Sequence, residues 1–155
     1  GQNFANHHGV NQILDDKSKF PVILYPKGDS HNLSDHGVNR FTDHLPKGKK
    51  LVIFVIDGSW GTANRMIRMS PRLASLSRVC FSPRRESRFR VRKQPRKDFL
   101  STVEAIHETI ELLGPSVGFS ITDKKHDNLL EAFDNLVDRQ IEISTQILSA
   151  ASRIK

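Results

Sequence analysis

Cysteine is all but missing from this chain: among 155 residues only Cys80 carries a thiol, which excludes a disulfide within the chain. Its neighbours Val79 and Phe81 predict a strand and a packed thiol. Tryptophan and tyrosine occur once each, as Trp60 and Tyr25. No apolar run approaches the roughly 20 residues a membrane-spanning helix needs, so no membrane partner is expected. Neither GxGxxG nor GxxxxGK occurs, which argues against a standard dinucleotide-binding fold or a P-loop nucleotide triphosphatase. A nucleophile elbow is also missing, and with the one cysteine in an apolar run this argues against covalent acyl chemistry. His31, His36 and His44 fall at spacings that match no zinc signature, so no metal ligands are expected and these histidines read as surface or crossover residues. Internal repeats and low-complexity tracts are lacking. No charged-then-apolar leader opens the chain, so a cytoplasmic location is expected. The opening GQNFANHH has no Met and reads as the start of a trimmed domain.

Acidic residues are the other shortage. Seventeen Asp and Glu face 24 Lys and Arg, for a formal charge of +7, which in a chain of this length points to a polyanionic partner. The excess is local. Arg84, Arg85, Arg88, Arg90, Arg92, Lys93, Arg96 and Lys97 stand against Glu86 in one short segment. Arginine grips phosphate with a planar fork and stacks on bases; a solvated loop whose charge merely aids solubility is the alternative reading. Phe89 and Val91 alternate with the arginines, as in a β-ribbon or an extended loop with one face down.

Hydrophobic residues make up 37% of the chain and charged residues 26%, as in a soluble globular domain, and 155 residues suffice for one domain with its own core. The stretch LVIFVIDGSW organises it. Leu51 to Ile56 is continuously apolar and β-prone, like a parallel strand covered on both faces, and Asp57-Gly58 breaks it. Ligands in open α/β sheets bind beyond the carboxyl ends of strands, so Asp57, Gly58, Ser59 and Trp60 hold a ligand's address. Ala63, Met66 and Ile67 are spaced for a following helix that Pro71 stops. PVILYP, Pro21 to Pro26, reads as a second core strand, and RVCFSP, Arg78 to Pro83, as a third. A short helix is expected between Asn6 and Lys19, and residues 29 to 48 read as loop-rich. Val103, Ile106, Ile110 and Leu113 define a helix ended by Gly114-Pro115. Ser101 and Glu104 sit in capping-box register at its start, and a helix start is also an anion site. Leu129, Leu130, Phe133, Leu136 and Val137 mark a helical tail from Thr122. The expected fold class is α/β, a mostly parallel central sheet flanked by helices.

Three segments together resemble the DTW-domain family. The signature after the core strand stands here as Asp57-Gly58-Ser59-Trp60, with serine for threonine. A second match runs from Ser70-Pro71 through Leu73, Leu76 and Arg78-Val79 to Pro83. The third is Ser87 to Pro95 followed by Leu100-Ser101-Thr102-Val103-Glu104-Ala105, close to the family's RK-x-P and LST-x-EA block. Leu24-Tyr25-Pro26 fits an earlier segment more loosely. Residues 1–155 are accordingly identified as a single DTW-type catalytic domain, without the upstream His-Pro-x-Glu-like segment that family members carry.

The resemblance implies a SPOUT-like fold with a trefoil knot in the C-terminal half, an exception to the rule against threaded chains. It implies a tRNA-uridine aminocarboxypropyltransferase that moves the 3-amino-3-carboxypropyl group of S-adenosylmethionine to N3 of a uridine. Asp57 is then general base or orients the uracil edge, with Ser59 hydrogen-bonding nearby. Trp60 stacks on a base or belongs to the core. Leu24, Tyr25, Pro26, Ile56, Gly58, Leu100, Ser101, Thr102 and Glu104 would cradle the cofactor. The arginines and lysines of residues 84–97 would hold tRNA, Arg92 and Lys93 fitting either an RNA phosphate or the methionine carboxylate. A SPOUT-like RNA methyltransferase and a non-catalytic RNA-binding module are the rival readings.

Overall fold

The computed structural model describes residues 3–91 and 99–152, the last two by backbone alone. They group into two compact units, Gly1–Ser82 with Leu112–Phe119, and Pro83–Glu111 with Ser120–Lys155.

The first unit is built on a parallel sheet. Strand β1 (Lys19–Leu24) lies between β3 (Lys50–Val55) and β4 (Arg78–Cys80), and β2 (His31–Asn32) flanks β4, giving the order β2-β4-β1-β3. β1 and β3 run in register from Lys19 opposite Lys50 to Leu24 opposite Val55. β4 joins the far side of β1, with Ile23 opposite Arg78 and Leu24 opposite Val79. Side chains of a strand alternate between faces. Phe20, Val22 and Leu24 of β1, with Leu51 and Ile53 of β3, accordingly join a cluster around Leu33, Phe41, Val79 and Leu113. Ile23, Tyr25, Phe54 and Ile56 enter a second cluster with Ala63 and Ile67 of α3 (Trp60–Arg68). Val22 and Ile23 are both fully buried, so β1 is covered on both faces, as its unbroken apolar sequence predicts. Each such side chain contributes roughly 1.5–3 kcal/mol by leaving water.

The first unit also holds α1 (His8–Asp15), α2 (Val38–Thr42), α4 (Pro71–Ala74) and a 3-10 turn, Pro115–Val117. Pro71 does more than stop α3. It occupies the first turn of α4, where its missing N–H has no intrahelical acceptor to lose. Residues 29–48, read as loop-rich, contain both β2 and α2. The two are too short for periodicity to reveal, and β2 is held by its pairing of His31 with Val79 and Asn32 with Cys80.

The second unit is helical. It holds most of α5 (Thr102–Leu113) and the 25-residue α6 (Asn128–Ser152). Leu130, Phe133 and Val137 are buried positions of α6, and Phe133 meets Phe89 with ring centroids 5.7 Å apart. Leu129 and Leu136, on the same apolar pattern, are exposed. Residues 86–89 form no regular element and Arg90 and Val91 lie in a turn, so the described part of the alternating Arg–Phe–Arg stretch is a loop rather than the ribbon. The helical tail begins later than Thr122: a 3-10 turn, Lys125–Asp127, precedes α6. Among the described residues no helix is long and apolar enough to cross a membrane.

Candidate active site

In the first unit the register of β1 with β3 sets two loops side by side, Tyr25 onward and Ile56 onward. Leu24 and Ile56 are half-buried and each packs into a core cluster, so they anchor the bases of the loops. Tyr25 is 7% exposed and its N–H donates to the Val79 carbonyl at 2.9 Å. Pro26 is exposed. Trp60, the first residue of α3, is 36% exposed and its ring lies 5.7 Å from that of Tyr25 at 44°. It therefore combines the two roles its sequence position allows, an internal ring contact and a surface a planar ligand can reach. Lys27 Nζ donates to Asn64 Oδ1 at 3.2 Å, a second tie from the first loop to α3.

Asp57 is exposed at the end of β3. Gly58 follows with φ of 146°, a backbone that side chains rarely adopt, and a Cβ there would stand 3.3 Å from Thr62 Cγ2. Ser59 is the N-cap of α3. Its Oγ accepts from the Thr62 N–H at 3.3 Å and lies 2.9 Å from Thr62 Oγ1. Cap and glycine thus aim the Asp57 turn, and its serine hydroxyl is engaged by Thr62. Burial raises the Tyr25 phenol above its usual ionisation range, against an opposing pull from Arg78. A separate cleft of about 390 Å³ in this unit is lined by His31, Arg40, His44 and Arg78 among others, so two of the histidines read as surface residues line a concavity.

In the second unit Glu104 is 6% exposed and its carboxylate is a hub. Oε2 accepts from the Ser101 N–H at 2.8 Å and from Ser87 Oγ at 2.7 Å, and Oε1 accepts from the Arg88 N–H at 2.6 Å. The Glu104 N–H donates in turn to Ser101 Oγ at 3.3 Å, which completes the capping box. Leu100, Ser101 and Thr102 are half-buried around it. Glu104 thereby fixes the entry to the basic segment and the start of α5 with one carboxylate.

The basic segment is held by acids of the two helices. Arg88 Nη1 pairs with Asp134 Oδ2 at 2.6 Å, Arg90 pairs with Asp138, and Arg84 Nε lies 3.2 Å from Glu108 Oε1 at an angle that makes it an ion pair without a hydrogen bond. The Arg88 and Arg90 pairs are half-exposed and contribute little stability, about 0–1 kcal/mol, so their effect is to orient the guanidinium groups, whereas the Glu108 carboxylate is buried. Arg85 is exposed. Arg92, Lys93, Arg96 and Lys97 lie outside the described residues. Sequence spacing did not single out Thr62, Lys27 with Asn64, or Ser87. Thr62, three residues past the cap Ser59, was the legible one; the others are tertiary partners with no local signal.

The Asp57-Gly58-Ser59-Trp60 turn thus stands at the carboxyl end of β3 on a parallel α/β sheet, and it is the stretch that carries the resemblance to the DTW class. The DTW domain model matches residues 1–141, and the chain belongs to that family. It is also similar to tRNA-uridine aminocarboxypropyltransferase 2 of Drosophila melanogaster, 31% identical over 113 residues that cover 72% of this chain and 40% of that protein. The chain thus spans about two-fifths of the length of the curated relative it matches. No solved structure matches it.

Proposed function

We propose that residues 1–155 act as one DTW-type catalytic domain of a transferase that moves the 3-amino-3-carboxypropyl group of S-adenosylmethionine to N3 of a uridine in tRNA. The observation that carries this reading is the Asp57–Trp60 turn at the carboxyl end of β3, joined to the loop after β1 through Tyr25. The residues there suit the donor: an exposed carboxylate and an indole face attract a sulfonium cation, and the loops offer backbone groups to its adenosine and amino-acid parts. The name of the Drosophila relative and the family match support the same activity.

S-adenosylmethionine supplies a carbon activated by positively charged sulfur. Uridine N3 bonds to that methylene carbon, the carbon–sulfur bond breaks with its electron pair going to sulfur, and methylthioadenosine leaves. The N3 proton goes to Asp57, whose carboxylate is the acceptor, or which holds the uracil edge while the proton departs. Ser59 and Gly58 keep the carboxylate in position, and Trp60 stacks on a planar base. Leu24, Tyr25, Pro26 and Ile56 of the first unit share in holding the donor. In the second unit Leu100, Ser101 and Thr102 lie at the start of α5, where Glu104 shapes the loop whose N–H groups it collects. The arginines and lysines of residues 84–97 hold tRNA phosphates, which makes binding strongly salt-dependent. A SPOUT-like knotted fold and a cytoplasmic location complete the proposal.

The test is Asp57→Ala in the protein carrying this chain. Loss of uridine modification with S-adenosylmethionine binding retained supports the base role; modification at the normal rate excludes it.

A further inference from the structure

His107 and Glu111 lie four residues apart on α5 and so share one helix face. His126 and Asp127, in the 3-10 turn before α6, meet that face within the same unit. His107 Nε2 lies 2.7 Å from Asp127 Oδ1, His126 Nε2 contacts Glu111 Oε1, and 3.7 Å separates His126 Nε2 from Asp127 Oδ1. The two imidazole rings stand 4.9 Å apart at 32°, and both residues are buried, at 4% and 5% exposure. One donor atom from each of the four residues falls within 4.8 Å of the others. His126 Nδ1 is buried with no hydrogen-bond partner, so this ring bonds only through the nitrogen that faces the cluster. The residue that opens the turn, Lys124, is the one non-glycine residue with positive φ among those described, at 52°. A backbone held in that region costs energy and persists where surrounding structure demands it.

We propose that His107, Glu111, His126 and Asp127 form a binding site for a borderline divalent transition ion, zinc foremost. Two imidazole nitrogens select against magnesium and calcium, which prefer all-oxygen shells. Tetrahedral zinc with bonds of about 2.0–2.2 Å sets its ligand atoms about 3.3–3.6 Å apart, so the two hydrogen-bonded pairs need to open while the widest separations close by about an ångström. Four protein ligands leave no open position, which makes the site structural rather than catalytic. The ion would take the place of the protons now lying between each Nε2 and its carboxylate and would staple α5 to the turn that starts α6. Those two helices carry Glu108, Asp134 and Asp138, the partners of Arg84, Arg88 and Arg90, so the ion would stiffen the support of the basic segment. Lys124 Nζ, 2.7 Å from Glu111 Oε1, is the competing cation. None of this depends on the transferase reading.

Tag-free protein stripped with a chelator is titrated with zinc by calorimetry and with cobalt by visible absorption. The expected result is one saturable equivalent of each, a cobalt spectrum of low coordination number, and a rise in Tm with zinc. His107→Gln is expected to weaken binding by about 100-fold, and Asp127→Asn, at an exposed position where the fold tolerates change, by about tenfold. Lys124→Asn, which suits the left-handed backbone, is expected to tighten it by removing the competing charge. Absence of saturable binding in the folded wild-type protein overturns the proposal. So does binding unchanged in Asp127→Asn, or binding lost instead in His31→Gln and His44→Gln.

Discussion

Tyr25 and Trp60, the only residues of their kinds in the chain, stand with ring centroids 5.7 Å apart and close the ends of two adjacent parallel strands against each other. The buried tyrosine is the platform and the tryptophan the surface. Tyr25→Ala is expected to cost about 3 kcal/mol, from lost burial and a cavity, and to red-shift Trp60 emission as the indole gains solvent. Urea unfolding followed by that same fluorescence reads both. Unchanged emission would separate the two rings.

The ionisation of Tyr25 can be followed without interference, because no other tyrosine absorbs. Burial disfavours the phenolate, so the folded-state pKa lies above the ordinary value of 10.0. An acid whose folded pKa is raised gives stability that is present below the unfolded pKa and lost as pH rises through the folded one. Absorbance titration at alkaline pH is expected to show a later midpoint in folded protein than in urea, with stability falling above about pH 10. Coincident midpoints would contradict the buried placement.

Gly58 has no conformational substitute. Gly58→Val combines a disfavoured positive φ with a contact on the Thr62 side chain, and is expected to cost about 1–3 kcal/mol while displacing the Asp57 turn. Thermal melts measure the first effect, and loss of transferase activity beyond the loss of folded protein measures the second. A silent Gly58→Val would mean that the turn's geometry is not constrained as described.

Glu104→Ala removes the acceptor of three donors at once, from Ser87, Arg88 and Ser101. Unsatisfied buried donors cost about 1–3 kcal/mol each, in part relieved by water, so a total near 3 kcal/mol is expected. Ser101→Ala, which loses one cap acceptor, is expected to cost about 1 kcal/mol. A denaturation series that ranked the two in the opposite order would refute the hub role.

How far these features could be read from sequence follows from how local their signals are. The strands at Pro21–Pro26 and Leu51–Ile56 were legible because burial on both faces leaves an unbroken apolar run, and the structure moves their bounds by only one or two residues. The capping box at Ser101 and Glu104 was legible from spacing, but the further claim of Ser87 and Arg88 on the same carboxylate was not, since those donors arrive from about 16 residues upstream. α2 and β2 escaped because five and two residues are too few to show a period. The His107–Glu111 pair with His126–Asp127 escaped for a different reason: half of it is an i,i+4 helical spacing common without any ligand, and only the fold brings the other half to it.

Which carbon on sulfur is taken defines the reaction. The protein carrying this chain, given S-adenosylmethionine and tRNA, is followed by chromatography of the spent donor alongside nucleoside mass spectrometry. Methylthioadenosine, formed in step with a uridine heavier by one aminocarboxypropyl group, is the predicted result. S-adenosylhomocysteine with a methylated nucleoside would contradict it, as would an unaltered donor beside intact tRNA binding.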